Sequence, residues 1–331
     1  MASRTKVIDI HAHFFPLPFL KALDEDGGPP GFRVEVSTPE SPALVNPGDP
    51  VPLQLDVSYW DLDARIERMN AQGVTMQALS LTVPMVHWAD PQRGADLAML
   101  VNDAMGEAHA AFPDRFLGCA TLPLQDPSLA LEELERVAGM RAIRGVYLPT
   151  NVSGRELSDP SFFPIYERCE ALGLPVLLHP VAVIGAERLR HHYLPNLLGN
   201  PFDTAVAAAH LVFGGVLDRY PRLNAVLPHA GGALPYLFGR LQHGQSVRPE
   251  ADAQRPFGEY LRRFYYDTIT HSADALRYLV DLVGTDRVML GSDYDFDMGY
   301  ARPREIVEEL GLRPAEREKI VFANAARLLR L

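Results

Sequence analysis

Along the chain, short runs rich in apolar and β-branched residues alternate with longer segments whose apolar positions recur at helical spacing. The strand-like runs fall at 7–13, 76–82, 116–122, 143–148, 175–179, 225–229, 264–268 and 288–293. Helical patterns cover 61–71, 92–111, 129–138, 162–172, 204–220, 234–242 and 274–283, and 304–310 and 314–329 follow the last strand. This rhythm of βα units predicts an α/β protein, a closed (β/α)8 TIM barrel whose reaction site lies at the C-terminal ends of the strands. An open, doubly wound parallel sheet is the alternative.

Two stretches break the rhythm. Residues 24–54 are rich in Pro, Gly and Ser with strand-like pieces at 32–36 and 43–45, so they are expected to form a small β insertion after the first strand. Residues 181–201 follow the fifth strand and carry a basic and polar patch at 187–192, which predicts a long loop over the barrel mouth. Loops at that end commonly build a substrate pocket. Without internal repeats or a low-complexity tail, residues 1–331 read as one barrel domain.

Bulk properties narrow the partners. Of 331 residues, 47% are hydrophobic and 22% charged, enough for a large core. A formal net charge of -11, with no Lys/Arg run longer than two, argues against nucleic acid. No apolar run is long enough to span a bilayer, and the first residues lack the apolar centre of a signal peptide, so neither membrane insertion nor secretion is expected. Cys119 and Cys169 sit in apolar surroundings without a CxxC pairing, which fits a reduced, cytoplasmic setting.

Candidate chemistry begins in the first strand, VIDIHAHFF. Alternation of side chains along a strand puts Asp9, His11 and His13 on one face. His179 ends the fifth strand, His229 the sixth and Asp293 the eighth, all at the same end of the expected barrel. A lone histidine there is usually a satisfied polar group; several imidazoles and a carboxylate converging are a donor set for a divalent metal. With one position left for water or substrate, such a site is catalytic rather than structural. Asp9 lies deeper and reads as a supporting hydrogen-bond acceptor.

The ordered segments IDIHAHFFP, RIERMNAQGV, LPLQDP, LPVLLHP, PHAGGALPYLFGR and RVMLGSDYDF resemble the amidohydrolase superfamily. Within it they are similar to the amidohydrolase 2 family, which includes aminocarboxymuconate semialdehyde decarboxylase and decarboxylases of aromatic acids. The resemblance implies that His11, His13, His179 and Asp293 hold one divalent metal, with zinc expected and manganese the alternative. It also implies that His229 is the catalytic base. Many superfamily members bridge two metals with a lysine from the fourth strand; AIRGVYLPT has none, and Lys6, Lys21 and Lys319 lie elsewhere.

The implied activity is metal-dependent, non-oxidative decarboxylation of a small aromatic or unsaturated carboxylic acid, with Asp293 delivering a proton to the carbon that loses CO2. The same residues could hydrolyse an amide, cyclic amide or lactone, with His229 activating water. Arg240 matches a family arginine that reaches the neighbouring subunit's site, so a homodimer or higher homo-oligomer is expected. Arg188 and His192 are further candidates for substrate contact, and Phe296, Trp88 and Phe14 or Phe15 for the pocket wall. Two departures bear on the substrate. Arg33 is the only arginine of the insert and PVPLQLDVSYWD has none, which argues against the muconate semialdehyde itself. Asp295 stands where proline is usual, and the run Asp293, Asp295, Asp297 fails as an EF-hand because its glycine comes at 299 and Arg304 stands where Glu is required.

Overall fold

A computed structural model describes residues 6–36, 42–45, 53–294 and 296–331. Its strands, in chain order, begin with β1 (Ile8–His13), then β2 (Arg33–Val36), β3 (Pro42–Val45) and β4 (Leu53–Gln54). β5 (Met76–Ser80), β6 (Phe116–Thr121) and β7 (Ile143–Pro149) follow, with a short hairpin of β8 (Asn151–Val152) and β9 (Arg155–Glu156), and finally β10 (Val176–His179), β11 (Ala225–Leu227) and β12 (Phe264–Tyr266). Seven of them form one parallel sheet in the order β1-β5-β6-β7-β10-β11-β12. Beyond β12, isolated bridges join Tyr266 to Val288 and Tyr294 back to Ala12 of β1. The sheet thereby curls round to its own first strand, consistent with the expected barrel.

Helices connect successive strands of the parallel sheet, and their starts and stops are encoded locally. Asp61, Asp90, Asp126 and Ser272 accept hydrogen bonds from backbone N–H groups of the first turn. Gly73 and Gly173, at φ 73° and 63°, end the helices Leu62–Gln72 and Phe163–Leu172 in the left-handed conformation that glycine adopts without a Cβ penalty. Inside the sheet, Ile8, Ile10, Leu117, Cys119, Tyr147, Leu177, Val226 and Tyr265 pack together with Leu328 and Leu329 of the last helix. Outward residues such as Val146, Leu148 and Val176 join the larger core under the helices. No helix among the described residues is long and apolar enough to cross a membrane.

The sequence reading differs from the structure in four places. The expected eighth strand, 288–293, makes bridges only at its ends rather than a continuous ladder. The helix expected over 204–220 is two, Asn200–Phe213 and Val216–Arg219, broken where Gly214 is followed by Gly215 at φ 72°. The segment 314–329 contains a wider π-type turn at Lys319–Ala323 between two α-helical pieces. A helix, Leu17–Asp26, follows β1 where none was expected; its prolines occupy the opening positions, where a missing N–H costs nothing. The expected 24–54 insertion is described only in part, because 37–41 and 46–52 lie outside the described residues; β2, β3 and β4 pair there as an antiparallel sheet.

Candidate metal centre

β1 brings His11 and His13 to the C-terminal edge of the sheet, β10 brings His179, and the segment 288–294 that closes the sheet onto β1 brings Asp293. One ligand atom from each lies within 4.8 Å of every other, and all four residues are buried. His13 Nε2 is 3.2 Å from His11 Nε2 and 3.1 Å from Asp293 Oδ1, and His11 Nε2 is 3.5 Å from the same oxygen.

Each imidazole is oriented from behind. His11 Nδ1 is 2.8 Å from Asp267 Oδ2, a geometry in which the ring donates its proton to the carboxylate and leaves Nε2 as an unprotonated donor. His13 Nδ1 faces Ser80 Oγ at 3.4 Å, and His179 Nδ1 faces the Pro180 carbonyl at 2.8 Å and Thr82 Oγ1 at 3.3 Å. Burial, followed by the neighbouring His11 and His229, pushes the His13 imidazole down to about 4 despite Asp293. Burial and three surrounding histidines hold His179 well below its ordinary range. Burial opposes ionisation of Asp293 as well, yet the hydrogen bond from His13, the nearby His229 and the charge of the surrounding imidazoles outweigh it and hold the carboxyl well below the usual carboxylate range. Two imidazole nitrogens 3.2 Å apart, with one carboxylate oxygen 3.1 and 3.5 Å from them, make a compact donor set turned to a single point. These residues therefore fit a divalent metal.

His229 stands to one side. Its ring centroid is 5.3 Å from that of His11, and its Nε2 is 3.8 Å from Asp293 Oδ2. Its backbone N–H and that of Ala230 donate to the two oxygens of Asp267, at 2.9 and 2.7 Å. His229 and Asp293 both have positive φ, 51° and 57°, a conformation that non-glycine residues hold only where the surroundings enforce it. The two face a cavity of about 410 Å³, which Asn200, Ile269, Thr270, Leu279 and Met298 also line.

The remaining candidates are dispersed. Phe296 walls the centre, its ring 5.2 Å from that of His13 and 5.8 Å from Tyr59. Trp88 is half-buried and donates its indole N–H to the Met85 carbonyl at 3.1 Å. Phe14 and Phe15 are core residues. Arg188 and His192 are exposed in the 181–201 loop, which contains a turn at Ala186–Arg188 and a π-type turn at Pro195–Gly199. Arg240 is exposed on the helix Leu234–Val247, outside this chain's own cavity. Arg33 is exposed and pairs with Glu35 at 3.1 Å. Asp295 lies outside the described residues.

Sequence reasoning missed Asp267, and its signal was available. It follows the strand residues FYY of β12 as Asp293 follows the eighth strand run, an acid at the same end of the sheet. Ser80 and Thr82 carried no such signal, since hydroxyls at strand ends are common.

Residues 8–331 match a family described as Amidohydrolase. A 2-amino-3-carboxymuconate-6-semialdehyde decarboxylase of Dictyostelium discoideum is 37% identical over 284 residues, covering 84% of this chain and 79% of that protein. The crystal structure of 5-carboxyvanillate decarboxylase from Sphingomonas paucimobilis superposes with a TM-score of 0.85 at 28% identity, covering 99% of both chains. A dihydroxybenzoic acid decarboxylase from Polaromonas sp. JS666, solved with manganese and the inhibitor 2-nitroresorcinol, gives 0.81 at 27% identity, covering 99% of this chain and 97% of that one.

Proposed function

The chain belongs to the amidohydrolase family, and from that premise we propose that it is a metal-dependent, non-oxidative decarboxylase of a small aromatic or unsaturated carboxylic acid. The observation that carries this reading is the opening of a buried three-histidine, one-carboxylate centre onto a cavity through His229 and Asp293. His11, His13, His179 and Asp293 are the proposed ligands. Three imidazoles and a carboxylate suit zinc, and manganese, present in the Polaromonas relative, is the alternative. A divalent ion there supplies positive charge that orients a substrate carboxylate and an adjacent oxygen.

The chain's own residues then manage one proton. Asp293 turns Oδ1 toward His13 and His11 and Oδ2 toward His229, so one oxygen can stay a ligand while the other carries hydrogen. His229 passes a proton to Oδ2 of Asp293, and Asp293 delivers it to the carbon bearing the carboxylate. The bond from that carbon to the carboxylate breaks, its electron pair returns to the ring, and CO2 leaves. His229, at the cavity wall, takes the replacement proton from solvent. Ile269, Leu279, Pro235 and Met298 give the ring an apolar seat, and Asn200 and Thr270 offer polar groups to its substituents.

We further read residues 1–331 as one (β/α)8 barrel domain with 24–54 as an insertion, working in the cytosol as a homodimer or higher homo-oligomer in which Arg240 serves the neighbouring site. Arg188, His192, Phe296 and Trp88 remain the proposed outer substrate contacts. The test is CO2 release from hydroxybenzoates, carboxyvanillate and aminocarboxymuconate semialdehyde by the metal-loaded protein. Release that disappears in His229→Asn supports the reading. Turnover of amides or lactones without CO2 would replace it with the hydrolase.

A further inference from the structure

Behind the ligands lies a second layer of charge that the proposed reaction does not use. Arg65, on the helix Leu62–Gln72, has no exposed surface, although arginine is rarely buried without compensation. Its Nε donates to Gln77 Oε1 at 2.8 Å and its Nη1 to the backbone carbonyl of His13, also at 2.8 Å, with a longer contact to the Ser58 carbonyl at 3.4 Å. The guanidinium lies over the ring of Tyr294, 4.3 Å from its centroid. Gln77 Nε2 donates to Asp9 Oδ2 at 3.1 Å. Asp9, also fully buried, accepts the backbone N–H of His11 at 3.1 Å and that of Ser292 at 3.0 Å on Oδ1, and the Ser292 hydroxyl at 2.6 Å on Oδ2.

This network crosses the seam where the curled sheet meets itself, and the seam is where three of the four ligands sit. Backbone pairing there is interrupted. Ile10 N–H reaches the Leu290 carbonyl and Asp293 N–H the His11 carbonyl, but the intervening Ser292 N–H goes to the Asp9 carboxylate. The register of β1 against β5 also shifts between Asp9 and Ala12. Backbone bonds from Asp293 to His11 and from His13 to Tyr294 tie this turn to β1 but skip Ser292, so the side chains of Asp9 and Arg65 take over part of the hold on the ligand spacing. Arg65 holds His13 and the ring next to Asp293, and Asp9 holds His11 and the residue on Asp293's other side.

We propose that Arg65, coupled through Gln77 to Asp9, is a positioning residue that fixes the spacing of His11 and His13 against Asp293 and thereby sets the affinity of the centre for its metal. The inference rests on the ligand assignment above. It is tested on the full chain by competing Zn2+ and Mn2+ from the protein with a chromophoric chelator, alongside thermal melting. Arg65→Met and Ser292→Ala attack the clasp from opposite ends, and either one suffices if the other fails to fold. Loss of such outer contacts typically weakens a metal site about 10- to 100-fold, and that rise in the dissociation constants is expected in both variants. Arg65→Lys, which keeps the charge but not the fork, is expected to fall between wild type and Arg65→Met. Leu134→Ala, a core truncation in the helix Pro127–Ala138, is the control; it should lower the melting temperature and leave metal affinity unchanged. Clasp variants that lose thermal stability as Leu134→Ala does, yet bind both ions as tightly as wild type, would overturn the inference alone. A wild-type protein that binds neither ion would overturn the ligand assignment, and the inference with it.

Discussion

Nδ1 of His11 lies 2.8 Å from Oδ2 of Asp267, two residues 256 positions apart and both buried. Asp267 does more than orient one ring. Its two oxygens also accept the backbone N–H groups of His229, Ala230 and Ile269, so one carboxylate sets both a proposed ligand and the proposed proton donor.

Asp267→Asn is expected to break this arrangement despite its similar shape. The amide has one accepting oxygen where four donors converge, and its NH2 would face another donor. Metal affinity should fall about 10- to 100-fold, and decarboxylation should fall even at saturating metal because His229 is displaced. Isothermal titration with Mn2+ or Zn2+ and CO2 release at saturating metal check the two parts.

Stripping the ion should cost both activity and stability. A ligand that binds only the folded chain stabilises it by about 4 kcal/mol at a thousandfold excess over its dissociation constant. Chelator-treated protein is expected to release no CO2 and to melt at a lower temperature. One equivalent of Zn2+ or Mn2+ should restore both, and His11→Ala protein should regain neither.

Acid should destabilise the metal-free protein partly through His87. Burial pushes this imidazole down to about 4, against the Leu122 carbonyl that it contacts at 3.1 Å. The folded-state pKa is below the unfolded one, so between about 6.5 and 4 the unfolded chain binds the extra proton. Stability present above that window is lost as pH falls through it, by about 3 kcal/mol for a shift of this size. Urea titrations of metal-free wild type and His87→Leu should show a shallower pH slope in the variant. Equal slopes would assign the acid sensitivity to other groups.

Both thiols should be inert in the folded chain. Burial pushes Cys119 and Cys169 up to about 12, and both are free and fully enclosed. Thiolate is the reactive form. A disulfide-exchange reagent at pH 8 is expected to titrate no thiol in native protein and two after denaturation.

By itself the sequence determined what repeats locally. The alternation of β-branched runs with helical periods marked the seven paired strands and most of the helices, and Asp and Ser caps sharpened the helix starts. It also placed His11, His13, His179, His229 and Asp293 at one end of the fold, because strand direction fixes which end each residue occupies. Tertiary structure decided what depends on distant segments meeting. Asp267 became the partner of His11 only when the curl of the sheet, closed by 288–294, brought the end of β12 beside β1, and Arg65 became a buried cation at the seam although its helix reads as an ordinary amphipathic one. Along the eighth strand run the N–H groups of Gly291 and Ser292 go to the side chains of Thr268 and Asp9 rather than to a neighbouring strand's backbone, an exchange that no periodicity records. Arg188, His192 and Arg240 lie outside the single-chain cavity for a related reason, since the contacts of an exposed side chain depend on what packs against its surface.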